Sequence, residues 1–165
     1  MWTDYFDHKD IRPVVTGDLV QNVLEKMAIY DLRELPVVEE NQYQGLISEE
    51  DLLDLDQSEV WNKHVQDLNN IFIMCDQHIN EAVKLMTNYK LSLLPIVDQK
   101  NHYVGVITKE GLFEYLAQDL MYTEAGSIIV LNIQKRDYSL NEISRLIESE
   151  SSYILGVSLR NINDK

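Results

Sequence analysis

The chain has 165 residues, 45% hydrophobic and 25% charged, with 14 Lys+Arg against 28 Asp+Glu and a formal net charge of −14. That length supports one compact domain or two small units sharing a core, without disulfide staples. The negative charge repels a phosphate backbone and an anionic bilayer alike, which argues against nucleic-acid and membrane-surface partners.

The first residues, Met1 to Asp7, show neither the basic segment nor the apolar run of a signal peptide. No apolar stretch approaches the ~20 residues of a membrane span. Cys75 is the sole cysteine, so no internal disulfide or cysteine-based zinc site can close. A reducing, cytoplasmic setting is the expectation.

In chain order, Leu19, Val23, Met27 and Tyr30 come first, at the three- and four-residue spacing of one helix face, with Asp18 as N-cap. Leu35-Pro36-Val37-Val38 then reads as a strand whose proline sits at its start, where a missing N–H is tolerated. A polar turn, Glu39 to Gln42, leads to a strand from Tyr43 to Ile47, and Ser48 can cap a following helix. The same order returns downstream. Ile79, Val83, Met86 and Tyr89 form a second helical face, with Asp76 as N-cap. Leu94-Pro95-Ile96-Val97, a turn from Asp98 to His102, a strand from Tyr103 to Ile107, and Thr108 complete it. The offset is 59 residues at the prolines and 60 at the glycines Gly45 and Gly105. An ordered set found twice is an internal repeat. Each copy alone has too little core, and pairing their apolar sheet faces supplies one. Trp61 falls in the linker between copies and is expected to pack across them.

The C-terminal part changes character. Ser127 to Ile133 is a β-branched run. Ser139 and Glu142 form a capping box, and Leu140, Ile143, Leu146 and Ile147 follow at helical spacing. Tyr153 to Leu159 reads as a second strand, with Gly156 as a bulge. A lone strand–helix–strand piece leaves a sheet edge and a helix face uncovered. Either the sequence is part of a longer protein, or this piece pairs with its counterpart across a dimer; the first is expected.

The repeated Leu-Pro and Gly-x-Ile-Ser/Thr motifs, over about residues 10–120, resemble a tandem cystathionine-β-synthase (CBS) domain pair, a Bateman module. The resemblance implies two βαββα units related by a pseudo-two-fold axis, often dimerising. It also implies adenosine-type ligands in the clefts between repeats, and a regulatory role without chemistry. The tail is similar to the first half of an ACT-type regulatory domain. The expected fold is therefore α/β (α+β type), with CBS repeats at 1–66 and 67–122 and an ACT-like βαβ segment at 126–165.

The resemblance also assigns a site. The family's signature is Gly-hydrophobic-x-Ser/Thr-x-x-Asp, whose aspartate takes the ribose hydroxyls while the Ser/Thr hydroxyl lies one turn away. Repeat 1 carries it in full, with Gly45, Ile47, Ser48 and Asp51; Ile71, Leu91 and Ser92 of the other repeat would meet the base. Repeat 2 carries Gly105 and Thr108, but Gly111 stands where the aspartate belongs. Arg12, Leu32 and Arg33 would face that second, weaker cleft. A plainer reading stays open, in which Ser48 is an N-cap and Asp51 complements the helix dipole. Residues 34–62 hold nine acids and no Lys or Arg, which disfavours a triphosphate and favours an uncharged nucleoside or a sulfonium ligand such as S-adenosylmethionine.

Catalytic motifs are missing: there is no P-loop, no dinucleotide-binding glycine motif and no nucleophile elbow. Cys75 and His78 offer two metal ligands at most, so neither a metal nor a cofactor is expected. The expectation is a non-enzymatic regulatory sensor, homodimeric, of AMP, adenosine, S-adenosylmethionine or a similar ligand. The alternative is a structural homodimerisation module with empty clefts.

Overall fold

Apolar residues three and four apart place Val20, Val23 and Met27 on the buried face of helix α1 (Val20–Tyr30). In the computed structural model, which describes residues 2–6 and 11–160, this helix leads into a hairpin of β1 (Glu34–Glu39) and β2 (Gln42–Ser48). The two turn residues, Glu40 and Asn41, have φ of 46° and 67°, the mirror-image turn that matches strand twist. Val14 makes a parallel bridge to Val37 at the hairpin's side.

The second repeat copies this plan. A short strand β3 (Ile73–Met74) runs parallel to β4 (Leu93–Val97), which pairs antiparallel with β5 (Tyr103–Thr108). Helix α2 (Ile79–Tyr89) lies between β3 and β4 in sequence, and α3 (Lys109–Asp119) follows β5. Both hairpins bulge at the same step, between Val37 and Val38 and between Ile96 and Val97. Leu35, Leu46 and Ile47 of the first repeat and Leu94, Ile96 and Ile107 of the second are fully buried. Each such side chain contributes roughly 1.5–3 kcal/mol by leaving water.

The two hairpins meet reciprocally. The Tyr43 N–H donates to the Asn101 carbonyl at 3.1 Å, and the Tyr103 N–H donates to the Asn41 carbonyl at 2.9 Å. Gln42 and His102 form an antiparallel bridge beside them. Two bonds exchanged between equivalent residues are the mark of the pseudo-two-fold axis.

Several local expectations are corrected. Asp18 does not cap α1. The N-cap is Leu19, and the first helical N–H groups, of Val20 and Gln21, donate instead to the carbonyls of Glu59 and Gln57. The Asp18 carboxylate pairs with Lys26 Nζ at 2.7 Å. Likewise His78, not Asp76, caps α2, its Nδ1 accepting from the Asn80 N–H at 3.2 Å. The helix expected after Ser48 is reduced to turns. Glu49, Glu50, Asp51 and Asp54 crowd like charges into one helical stretch. The chain is then drawn away to cover the start of α1. Without that helix, and with β3's counterpart a single bridge, the first βαββα unit is shorter at both ends than the second.

The repeat also extends further upstream than residue 10. Trp2 opens a 3-10 turn (Trp2–Phe6) and Trp61 opens another (Trp61–Lys63), 59 residues apart like the prolines. Trp2 Nε1 donates to the Gln77 carbonyl at 2.8 Å, and Trp61 Nε1 donates to the Val15 carbonyl at 2.9 Å.

The chain divides into two compact units, Met1–Phe113 and Glu114–Lys165, the boundary falling inside α3. In the second unit, helix α4 (Leu140–Ser149) starts where the capping box places it, with Ser139 Oγ accepting from the Glu142 N–H at 3.3 Å. Residues 127–133 and 153–159, expected as strands, carry neither helix nor strand, and Gly156 is no bulge. A strand exists only with a partner to take its N–H and C=O groups. These runs have none among the described residues, and Ile128 and Val130 stand 93% and 87% exposed.

Candidate functional site

The site begins with Gly45. Its φ is +148°, and an added Cβ would lie 2.5 Å from Leu68 Cβ. Only glycine lets the linker approach β2 this closely. There Leu46 and Asn69 exchange two backbone hydrogen bonds, of 2.8 and 3.2 Å. Tyr43 adds a third tie, its hydroxyl donating to the Ile71 carbonyl at 2.8 Å, and burial pushes its phenol well above its ordinary pKa. Gly45 and Ile47 are buried, and Ile71 is half-buried against β2.

Three residues after Gly45, β2 ends and delivers Ser48. Its N–H and its hydroxyl both donate to Asp51 Oδ2, at 2.9 and 2.6 Å. In return Ser48 Oγ accepts from the Asp51 N–H at 3.3 Å. This is a reciprocal capping box closed within four residues. Thr108 begins the same motif in repeat 2, Oγ1 accepting from the Gly111 N–H at 3.1 Å, but no carboxylate answers it. Arg12 and Arg33, the residues expected beside that second cleft, have exposed side chains with no ion pair among the described residues, and Leu32 is buried.

Asp51 borders a cleft of about 370 Å³ whose other walls are His64, Val65, Gln66 and Asp67. His64 pairs through Nε2 with Glu59. No local pattern in the sequence marks these linker residues as cleft walls. The tryptophan repeat, Trp2 to Trp61, is the signal that marks their segment as part of the fold rather than a spacer.

Leu91 and Ser92 lie elsewhere, deep between the repeats. Leu91 is buried just past α2, its N–H donating to the Met86 carbonyl at 3.1 Å. Ser92 is the one buried polar residue among the described residues, at 9% exposure. Its N–H donates to Glu34 Oε2 at 2.9 Å, its hydroxyl donates to the same oxygen, and its Oγ accepts from the Arg33 N–H at 3.1 Å. Glu34 is the direct strand partner of Ser48. Ser92 therefore reaches Ser48 through Glu34, whereas Ile71 reaches the motif through Tyr43. The seven expected ligand residues thus fall into a connected but spread set. Only Asp51 among them lines the open cleft.

The chemistry of the site is acidic. Asp51 and Asp67 flank the cleft, Glu34 is the strand partner of Ser48, and Glu49 and Glu50 precede Asp51. Such a field favours hydrogen-bond donors and cations over phosphates. Among the described residues no three His, Cys, Asp or Glu side chains converge as metal ligands, and no helix is long and apolar enough to cross a membrane.

The CBS domain family model matches residues 4–58 and 65–118. Inosine-5'-monophosphate dehydrogenase of Methanocaldococcus jannaschii is 32% identical over 110 residues, covering 64% of this chain and 22% of that protein. The magnesium transporter MgtE of Thermus thermophilus is 26% identical over 111 residues, covering 56% and 24%. The chain thus spans under a quarter of the length of either relative. Among solved structures, a CBS domain pair/ACT domain protein from Thermotoga maritima superposes with a TM-score of 0.62 at 25% identity, covering 70% of this chain and 95% of that one. CBSX2 in complex with AMP shares the fold, with a TM-score of 0.59 at 21% identity and coverage of 70% and 95%.

Proposed function

Because the chain belongs to the CBS domain family, we propose that it is a regulatory sensor that binds an adenosine-type ligand at the Ser48–Asp51 motif and performs no chemistry. The observation that carries this reading is the intact Gly45-x-Ile47-Ser48-x-x-Asp51 motif beside an open cleft. Asp51 is exposed, and among the described residues its carboxylate is held by bonds from Ser48 alone. A ribose diol can take over those acceptor positions, with Ser48 freed to bond the ligand. In repeat 2 Gly111 leaves no such acceptor, so one ligand per chain is expected. The acidic field makes adenosine or S-adenosylmethionine the better ligand, ahead of AMP and well ahead of ATP.

Binding acts by population shift: the ligand must prefer one arrangement of the repeats, or of a homodimer of the chain, over another. A cytoplasmic location and the absence of nucleic-acid and membrane partners belong to the same proposal.

Thermal-shift titration with AMP, ATP, adenosine and S-adenosylmethionine tests it. A ligand at 100 times its Kd stabilises by about 2.7 kcal/mol. Asp51→Ala should abolish that shift while leaving the unliganded transition within about 1 kcal/mol of the parent, the usual worth of a capping residue. Unchanged affinity in Asp51→Ala refutes the site.

One observation favours a second reading, a structural homodimerisation module without ligand. Ser48 and Asp51 bond each other reciprocally, so a capping role accounts for the motif without an occupant. A concentration-dependent dimer in sedimentation, with no shift from any of the four compounds, supports that reading instead.

A further inference from the structure

Of the residues that line the Asp51 cleft, only His64 can carry a positive charge; the others are Asp51, Val65, Gln66 and Asp67. The turn Trp61–Lys63 delivers His64 there, and its N–H donates to the Trp61 carbonyl at 3.1 Å. The ring is held by Glu59, whose carboxylate pairs with Nε2. Glu59 is itself anchored, since its carbonyl accepts from the Val20 N–H at 2.9 Å, at the start of α1. A carboxylate accepts only donors, so the neutral ring keeps its hydrogen on Nε2 and leaves a lone pair on Nδ1. Nδ1 takes no hydrogen bond from the described residues. The side chain is 38% exposed, so protons reach it from solvent. The charged groups about it are Asp56 and Glu59 on its own segment, Lys63 beside it in the chain, and Asp51 and Asp67 on the cleft.

We propose that His64 is the specificity-determining residue of this cleft and that its protonation sets whether a phosphate-bearing ligand is accepted, an inference that rests on the ligand-binding reading above. With the ring neutral, the carboxylates of Asp51, Asp67 and Glu59 stand at the cleft without a cation among its lining residues. An uncharged nucleoside tolerates that field and a phosphate does not. A proton on Nδ1 turns that atom from acceptor to donor and makes the ring a cation. Glu59 is then neutralised within the pair, and the cleft wall gains one full positive charge. Imidazole is the side chain whose charge changes within the physiological pH range. Asp51 takes the ribose in either state, so the proton alters the choice among adenosine compounds rather than the binding of adenosine itself. The ranking of adenosine over AMP becomes a function of pH, carried by one side chain.

Calorimetric titration of the full chain with adenosine and with AMP, at about pH 8 and about pH 5.5, tests this in the parent, in His64→Gln and in His64→Lys. Glutamine keeps an N–H donor for Glu59 but does not titrate; lysine is a cation at both pH values. Thermal melts of each variant confirm folding. The phosphate of AMP itself takes a proton near about pH 6, equally for all three proteins, so the readout is the difference between them. From the higher to the lower pH, the AMP-to-adenosine affinity ratio should rise about fivefold more in the parent than in His64→Gln, the effect of one unit charge gained near the phosphate. His64→Lys should show the raised ratio already at the higher pH. Binding of both compounds with the same pH profile in the parent and in His64→Gln overturns the role of His64 and leaves the ligand-binding reading standing. No binding of either compound to any of the three proteins at either pH overturns both.

Discussion

Gly45 and Gly105 occupy equivalent places in the two repeats, yet alanine should affect them very differently. At Gly45 the φ of +148° is one that an L residue rarely adopts, which costs about 1–3 kcal/mol. The new Cβ would also meet Leu68 Cβ at 2.5 Å, and a Cβ cannot swing aside. Overpacking of that kind adds about 1–3 kcal/mol. The loss of unfolded-state freedom returns about 0.4–1 kcal/mol. Gly45→Ala should therefore cost about 3 kcal/mol. Gly105 has no positive φ, and its Cβ would meet only the Phe6 carbonyl oxygen at 3.2 Å, an adjustment of a few tenths of an ångström. Gly105→Ala should cost about 1 kcal/mol or less. Urea unfolding followed by tryptophan fluorescence reads the difference cleanly, because both tryptophans, Trp2 and Trp61, belong to the repeat unit. With an m-value of about 2 kcal/mol/M, the midpoint falls by about 1.5 M for Gly45→Ala and by under about 0.5 M for Gly105→Ala. Equal midpoints for the two variants would show that the Gly45 backbone and the Leu68 contact impose no constraint, and the packing account would fail.

Three further outcomes follow from other contacts. Thr16 donates its N–H and its hydroxyl to the Glu39 carboxylate, the hydroxyl bond being the larger cause of a carboxyl pKa below its ordinary value. The stability this contributes is present above the unfolded carboxylate pKa and is lost as pH falls through the lower folded value; Thr16→Val should raise the Glu39 pKa in an NMR titration, and no change would refute the assignment. Trp61→Phe removes the Nε1–H bond to the Val15 carbonyl and should cost about 1–3 kcal/mol by urea midpoint; a change under ~0.5 kcal/mol would count against the linker's structural role. Ser139→Ala should cost α4 about 1 kcal/mol, read as about fivefold faster amide exchange in its first turn with the fluorescence transition unmoved; unaltered exchange would show the cap to be idle.

What could be read from the residues alone, and what could not, divides by range. The faces of α1 and α2 rest on three- and four-residue spacing within each helix, and both helices form there, although Leu19 falls outside α1 as its N-cap and Tyr89 is exposed, Val20 and Ala82 joining the buried faces instead. The hairpins rest on a proline, a turn and a glycine that lie close together, and they formed too. The α1 cap was misassigned because the groups that satisfy the first N–H donors, the carbonyls of Gln57 and Glu59, arrive from nearly forty residues downstream. The truncated helix after Ser48 has the same origin, since the chain leaves that helix to reach α1. The runs 127–133 and 153–159 have strand composition, but composition supplies no partner. At the site, the Ser48–Asp51 pairing was legible as a capping box because it closes within four residues. The bonding of Glu34 to Ser92, and the meeting of His64 and Asp67 with Asp51 at the cleft, join residues distant in sequence, which no local pattern announces.

The bonds exchanged by the two hairpins also fix how the module can come apart. The Tyr43 amide is protected by a carbonyl of the second repeat, and the Tyr103 amide by a carbonyl of the first. Neither hairpin can fray without exposing an amide that belongs to the other. Local opening at the two sites is therefore one event, and the pair, rather than the single repeat, is the smallest cooperative part. The sequence duplication has produced two copies that fold as one foldon, and any signal that moves the repeats apart must break this seam or turn about it.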